Sequence, residues 1–186
     1  VWTAPAAALD GALSGALARA AGDHRFAGKA GQSLDLASPA PGVARVLALG
    51  LGPAAAVEAA AVEKAVAGAV KKLLASGVEA LCVRPGAELA AHAARMGFAA
   101  KLASYRFDKY RTKLKPDQKP TLARVVIDVA DPAAAQAAFA AHAAVAEGVF
   151  WARDLVMEPS NILHPEEFAR RCRALADLGV AVEVLG

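Results

Sequence analysis

Three features of the sequence predict an α/β fold. Residues 43–49 (Val-Ala-Arg-Val-Leu-Ala-Leu) form a nearly all-apolar run that ends at Gly50-Leu51-Gly52-Pro53, and an alanine-rich helical stretch follows. The order strand, turn, helix recurs between 78 and 105. A further strand-like run, 121–129 (Thr-Leu-Ala-Arg-Val-Val-Ile-Asp-Val), then leads into the longest helical pattern of the chain. Alternation of this kind implies a sheet covered by helices, with strands buried on both faces.

Taken in order, leucines at 9, 13 and 17 make an i, i+4, i+8 stripe, which predicts one short amphipathic helix over 9–20. Residues 33–37 alternate and read as a strand, as do 43–49. Pro53 suits a first helical position, so a long helix is expected over 54–76, closed by Gly77. Residues 78–83 read as the next strand, and Pro85-Gly86 opens a helix that pauses at Gly97 and resumes to Tyr105. Residues 106–120 are polar and proline-punctuated, a solvated loop. Asp131-Pro132 is an N-cap followed by a first-position proline, and no breaker occurs until Pro159. That predicts a helix of about 26 residues, roughly 39 Å long, too long for one small sheet and therefore a connector leaving the first domain. His164-Pro165-Glu166-Glu167 opens another helix with acids in its first turn, Gly179 ends it, and 180–185 reads as a strand. One helix and one strand cannot bury a core alone, so the polypeptide is expected to continue past Gly186. The expected organisation is a domain over 1–130, a connector helix over 131–159, and the beginning of a second, incomplete α/β domain over 160–186.

The 186 residues are 56% hydrophobic and 21% charged, which excludes a disordered chain. Much of the apolar count is alanine, so small-residue helix packing is expected. Cys82, in an apolar run, and Cys172 are far apart in a chain too long to need stapling, and both read as buried or spectator thiols of a reducing compartment. The longest stretch without a charge, between Asp131 and Glu147, is too short to span a membrane. The opening residues 1–9 carry no basic segment of the kind a signal peptide needs, and the absent initiator methionine suggests residues missing from the front. Net charge is +3, yet residues 101–124 hold eight Lys/Arg against Asp108 and Asp117, a local +6 that leaves −3 for the remainder.

Few residues suggest chemistry. His24, His92, His142 and His164 are scattered without metal-ligand spacing; His92 reads as helix surface and His164 as a helix cap. Ser14 and Ser104 lack the context of a nucleophilic serine. Cys172 has the cationic neighbours Arg171 and Arg173 that reactive thiols use, or is simply a helix residue among surface arginines. Gly50-Leu51-Gly52-Pro53-Ala54-Ala55, between strand and helix, has the look of a phosphate cradle or of a tight structural turn. Against the cradle, Pro53 lacks an N–H and Val83-Arg84 offers no acidic residue at the end of the next strand. In the basic segment 101–124, Tyr105, Phe107 and Tyr110 interleave with Lys and Arg as on some nucleic-acid surfaces, where binding would be nonspecific through phosphates; a solvated surface or subunit contact is the other reading.

Two stretches resemble the leucyl (cytosol) aminopeptidase family. Lys101-Leu102-Ala103-Ser104-Tyr105-Arg106-Phe107-Asp108-Lys109-Tyr110-Arg111-Thr112-Lys113 is similar to that family's Leu-x-x-Tyr-x-Phe-Asp-x-Tyr-Lys-Thr segment. Gly148-Val149-Phe150-Trp151-Ala152-Arg153-Asp154-Leu155-Val156-Met157-Glu158-Pro159-Ser160-Asn161 resembles its Ala-Arg-Asp-Leu-x-Asn-x-Pro-x-Asn junction, with Met157 a departure. The resemblance implies a macro-domain-like mixed sheet flanked by helices, a linker helix, and the start of a metallopeptidase domain. It implies an enzyme that releases N-terminal amino acids from peptides with two divalent ions, Mn or Zn, in a cytoplasmic homo-hexamer. The family's Asn-Thr-Asp-Ala-Glu-Gly-Arg signature finds only Ala146-Glu147-Gly148, so no catalytic, cofactor-binding or metal-ligating residue is assigned in this chain. The alternatives are a free-standing macro-like module holding an ADP-ribose-type ligand at 50–55, and a DNA-binding accessory domain without sequence preference.

Overall fold

The computed structural model describes residues 2–185; Val1 and Gly186, at the two chain ends, lie outside the described residues. The helices are α1 (Ala4–Ala12), α2 (Ala16–Asp23), α3 (Ala59–Leu73), α4 (Ala93–Ser104), α5 (Pro132–Met157) and α6 (Pro165–Arg173). The strands are β1 (Ser33–Ala40), β2 (Val43–Leu49), β3 (Ala80–Val83) and β4 (Arg124–Ile127). Short 3-10 turns over Ala54–Ala56, Ala87–His92, Pro116–Gln118 and Ala174–Leu178 fill the connections.

The α/β class holds, with the strands in two pairs. β1 and β2 form an antiparallel hairpin with Leu34 opposite Ala48 and Leu36 opposite Val46. β3 and β4 pair in parallel, Leu81 opposite Val125 and Val83 opposite Ile127. Burial on both faces of the strands is not what β3 and β4 show. Leu81, Val83, Val125 and Ile127 pack on the core, whereas Cys82 and Val126 point away and are exposed. The sequence reads as continuous because both faces carry apolar residues, but helices cover only one of them.

The core lies between α3, α4 and that covered face. Val62, Val66 and Val70 recur on one side of α3, and α4 answers with Met96, Ala100 and Ala103. Alanines let the two helix axes approach closely, so each buries little area and the few larger side chains matter more.

Several elements differ from the expected boundaries. The leucine stripe over 9–20 is divided between α1 and α2, because Ser14 (φ 52°) and Gly15 (φ 77°) reverse the chain. Asp10 Oδ1 accepts from Leu17 N–H at 2.8 Å and Ala18 N–H at 3.1 Å, so a residue of α1 caps α2 across the turn. The helix expected from 54 begins at Ala59, since Val57 and Glu58 remain extended. α4 runs through Gly97 without a pause. A Cβ there would stand 3.2 Å from the Phe139 ring of α5, so this glycine serves close helix packing rather than chain breaking. α5 matches the expected 26 residues, its first turn capped by Asp131 Oδ1 accepting from Ala134 N–H at 2.9 Å. It lies along α4. Residues 180–185 carry no strand and pair with none among the described residues, and Gly179 ends the preceding turn at φ 83°. Among the described residues no helix is long and apolar enough to cross a membrane.

Candidate functional site

The turn at 50–53 is the first candidate. Gly50 N–H donates to Gln32 O at 2.8 Å, Gly50 O accepts from Gly31 N–H at 3.3 Å, and Gly52 N–H donates to Gly28 O at 2.9 Å. The loop 27–32 that receives these bonds is itself held by Gln32 Oε1, which accepts from Ala27 and Lys29 N–H groups at 3.0 Å each. A phosphate cradle needs free backbone donors, and here two are spent on the loop while Pro53 has none. The helix that follows, α3, starts at Ala59 behind the acidic Glu58. A cleft of about 990 Å³ does open beside the turn, lined by Leu47, Leu49, Ala61 and Lys64, but Glu58 lines it too and disfavours an anion there. Lys72 at its edge is bound to Asp35 at 2.7 Å, alongside Arg45 at 2.6 Å. The geometry is that of a tight structural turn.

The four histidines stay apart. His24 ends α2, His92 precedes α4, His142 sits on α5 with its ring edge against Phe98 at 5.4 Å, and His164 is the N-cap residue of α6 with Nδ1 2.8 Å from Glu166. Among the described residues no three His, Cys, Asp or Glu side chains converge as metal ligands. Ser104 Oγ donates to the Lys101 carbonyl, a helix-end bond rather than a catalytic one. Cys172 is half-buried on α6, and its neighbour Arg171 is already bonded to two carboxylates.

The basic segment is the second candidate, and its aromatics make contacts within the chain. Tyr105 packs on Phe150 at 5.2 Å and donates its hydroxyl to Asp154 at 2.8 Å. Phe107 and Tyr110 pack on each other at 5.8 Å, and Tyr110 donates to Glu158. Tyr105 and Phe107 are half-buried, whereas the Tyr110 ring is 46% exposed, with Lys109 Nζ 5.3 Å from its centroid. Lys101 pairs with Glu147 at 2.5 Å, Arg106 with Asp108 at 2.6 Å, and Lys109 with Glu158 at 2.6 Å. Asp108 is already counted in the local +6, so the two acids from outside the segment, Glu147 and Glu158, bring that charge to +4.

These pairs reveal the role of the two family-like stretches: they are the two sides of one interface. Besides the Lys101–Glu147, Tyr105–Asp154 and Lys109–Glu158 contacts, Arg153 Nη1 donates to Leu102 O at 3.1 Å and its guanidinium lies 5.3 Å over the Tyr105 ring. At the end of the interface the Glu158 side chain, 3% exposed, accepts from Lys109, Tyr110 and, at 3.1 Å, Arg171 of α6. Arg171 Nε also donates to Glu167 at 2.8 Å, and Arg170 holds that carboxylate at 2.6 and 2.7 Å. Separations of 46 to 51 residues along the chain hide this network from any local pattern.

Lys109 above all, then Tyr110 and Arg171, hold the Glu158 carboxyl down to about 2; Arg170 and Arg171 do the same for Glu167. A carboxylate lowered in the folded state adds stability above its ordinary value of about 4.5 that is lost as pH falls toward 2. The junction is therefore expected to stay intact from pH 8 to 5 and to loosen between about 4.5 and 2. Trp151 lines the small cleft beside Glu158 and reports it, once the only other tryptophan, Trp2, is replaced by phenylalanine. A Trp151 emission change centred above pH 5 would assign the loosening to other groups.

Comparison with known proteins bears on the same residues. Residues 2–114 match the family model described as the N-terminal domain of the cytosol aminopeptidase family. The chain belongs to the cytosol aminopeptidase family. Among curated relatives, the probable cytosol aminopeptidase of Caulobacter vibrioides is 48% identical over 97% of this chain and 37% of its own length. That of Gluconobacter oxydans is 46% identical over 96% of this chain and 36% of its own. The chain thus spans a little over a third of the curated relatives it matches. Among solved structures, a tomato leucine aminopeptidase variant shares the fold at TM-score 0.80 and 24% identity, over 95% of this chain and 35% of that one. The bottromycin maturation enzyme BotP, solved in complex with Mn, superposes at TM-score 0.67 with 32% identity, over 85% of this chain and 33% of that one.

Proposed function

We propose that this chain is the N-terminal, non-catalytic region of a metal-dependent aminopeptidase that releases N-terminal amino acids from peptides. The observation that carries the reading is one of coverage. Relatives named as aminopeptidases align along nearly all of this chain, which accounts for only about a third of theirs, and the matched family model is their N-terminal domain. The division is a macro-domain-like unit over 1–130, α5 with its flanks over 131–159 as connector, and the start of the metallopeptidase domain over 160–186.

Two divalent ions, Mn or Zn, supply a polarised carbonyl and a metal-activated water in such hydrolysis. The described residues do not fit them, since no three ligand-type side chains converge, so no step of the reaction is assigned to this chain. Its own contribution is architectural: the interface between α4 with its succeeding segment and α5 fixes a rigid platform for the metallopeptidase domain. In the whole protein we place this region at the periphery of a cytoplasmic homo-hexamer. The purified 186-residue chain is expected to show no turnover of leucine p-nitroanilide with or without Mn²⁺ or Zn²⁺, and no tight uptake of either ion by calorimetry. Metal-stimulated turnover by this chain would overturn the reading.

A further inference from the structure

The stretch after α5 is joined to the rest of the molecule at one polar point. Among the described residues, the bond from Arg171 Nη1 to Glu158 Oε1 is the only side-chain hydrogen bond or ion pair between α6 and anything outside the 164–185 stretch. α6 buries none of its residues, and Phe168 and Leu178 remain largely exposed. Among the described residues, then, no buried apolar side chain of α6 ties it to the rest of the molecule, and the ion pair does.

Glu158 suits that task by its position and its partners. It stands at the C-cap of α5, ahead of Pro159, so its backbone is set by a 26-residue helix already packed along α4. Its Oε1 is shared by two cations from different parts of the chain, Lys109 Nζ at 2.6 Å and Arg171 Nη1 of α6 at 3.1 Å, while Oε2 accepts from Tyr110. Two cations that share one oxygen repel each other as soon as that oxygen loses its charge. Burial strengthens the consequence on the acceptor side, because the carboxylate is almost wholly shielded from water and would find little solvation in place of these donors.

We propose that the Glu158 carboxylate is a latch that pins α6 and the 106–111 segment to the end of α5 at the same time, and so sets the direction in which the chain enters its next domain. Arg171 is the α6 side of the latch, oriented by Glu167 through its Nε; Lys109 and Tyr110 are the other side. The latch involves only residues of this chain and goes beyond the proposed activity. It stands or falls independently of what the whole polypeptide hydrolyses.

Hydrogen exchange read by mass spectrometry on the intact natural polypeptide tests it. In Glu158→Gln, which keeps the shape and removes the charge, amides of 106–115 and 160–178 are expected to exchange about tenfold faster or more, while those of α3 and α4 stay at wild-type rates. In Arg171→Met, which keeps the apolar stem, only 160–178 is expected to accelerate, because Lys109 and Tyr110 still hold Glu158. Unchanged exchange over 160–178 in Arg171→Met would overturn the latch. So would a uniform acceleration that includes α3 and α4 in Glu158→Gln, which would make Glu158 an ordinary stability residue. The readout is local exchange rather than peptide hydrolysis, so its failure is distinct from a failure of the proposed function.

Discussion

Gly50→Ala is expected to destabilise the fold by about 3 kcal/mol, among the largest effects of any single substitution in the chain. A Cβ at position 50 would fall inside the contact shell of the Lys29 carbonyl oxygen, 2.8 Å from Gly28 C and 2.9 Å from Gly28 O. The obstacle is backbone, so no rotamer change relieves it. The loop 27–32 would have to lift away, and with it would go the bonds to Gln32 O, Gly31 N and Gly28 O that hold it over the end of β2. Those groups would then be left without partners or returned to water. The midpoint of urea unfolding measures the loss. Gly52→Ala is the comparison: its φ of +89° carries strain, but Ala30 is 3.7 Å away, so a smaller loss of about 1 kcal/mol is expected. If Gly50→Ala unfolded at the wild-type midpoint, the loop would not be strapped to the turn, and backbone donors would be free for an anion after all.

Local signals were legible where one residue type determines the backbone. Asp131-Pro132 announces the start of α5, Gly179 closes the turn after α6, and the apolar run 43–49 is a strand. Legibility failed where a distant partner decides. Gly97 reads as a pause in a helix until Phe139, on another helix, is known to approach it. The leucines at 9, 13 and 17 keep helical spacing across a chain reversal that only Ser14 and Gly15 reveal. The turn at 50–53 has the spacing of a phosphate loop, yet its donors are taken by carbonyls about twenty residues earlier in the chain. At the junction, the two stretches that carry the family resemblance were visible as motifs. That they touch, and that Glu158 gathers Lys109, Tyr110 and Arg171, depends on α5 running back along α4.

Met96→Ala is expected to cost about 3 kcal/mol, within the range for truncating a large buried side chain. Met96 is 2% exposed, and the other buried positions of α4 are all alanine: 93, 94, 99, 100 and 103. It is therefore the one side chain by which α4 fills the space in front of Val62, Val66 and Val70 on α3. A helix pair held apart by alanines has little slack to close over a void, because backbones already near contact cannot move closer. The cavity left by truncation should persist, and its cost adds to the lost transfer energy. Met96→Leu, which keeps most of the volume, is expected to lose less than about 1.5 kcal/mol. Val126→Ala, on the uncovered face of β4 and 43% exposed, should change stability by no more than about 0.5 kcal/mol. Urea denaturation of the three variants separates the cases. If Met96→Ala and Val126→Ala cost the same, the core would not lie between α3, α4 and one face of the β3–β4 pair. The helices would then have to cover the other face, where Cys82 and Val126 stand.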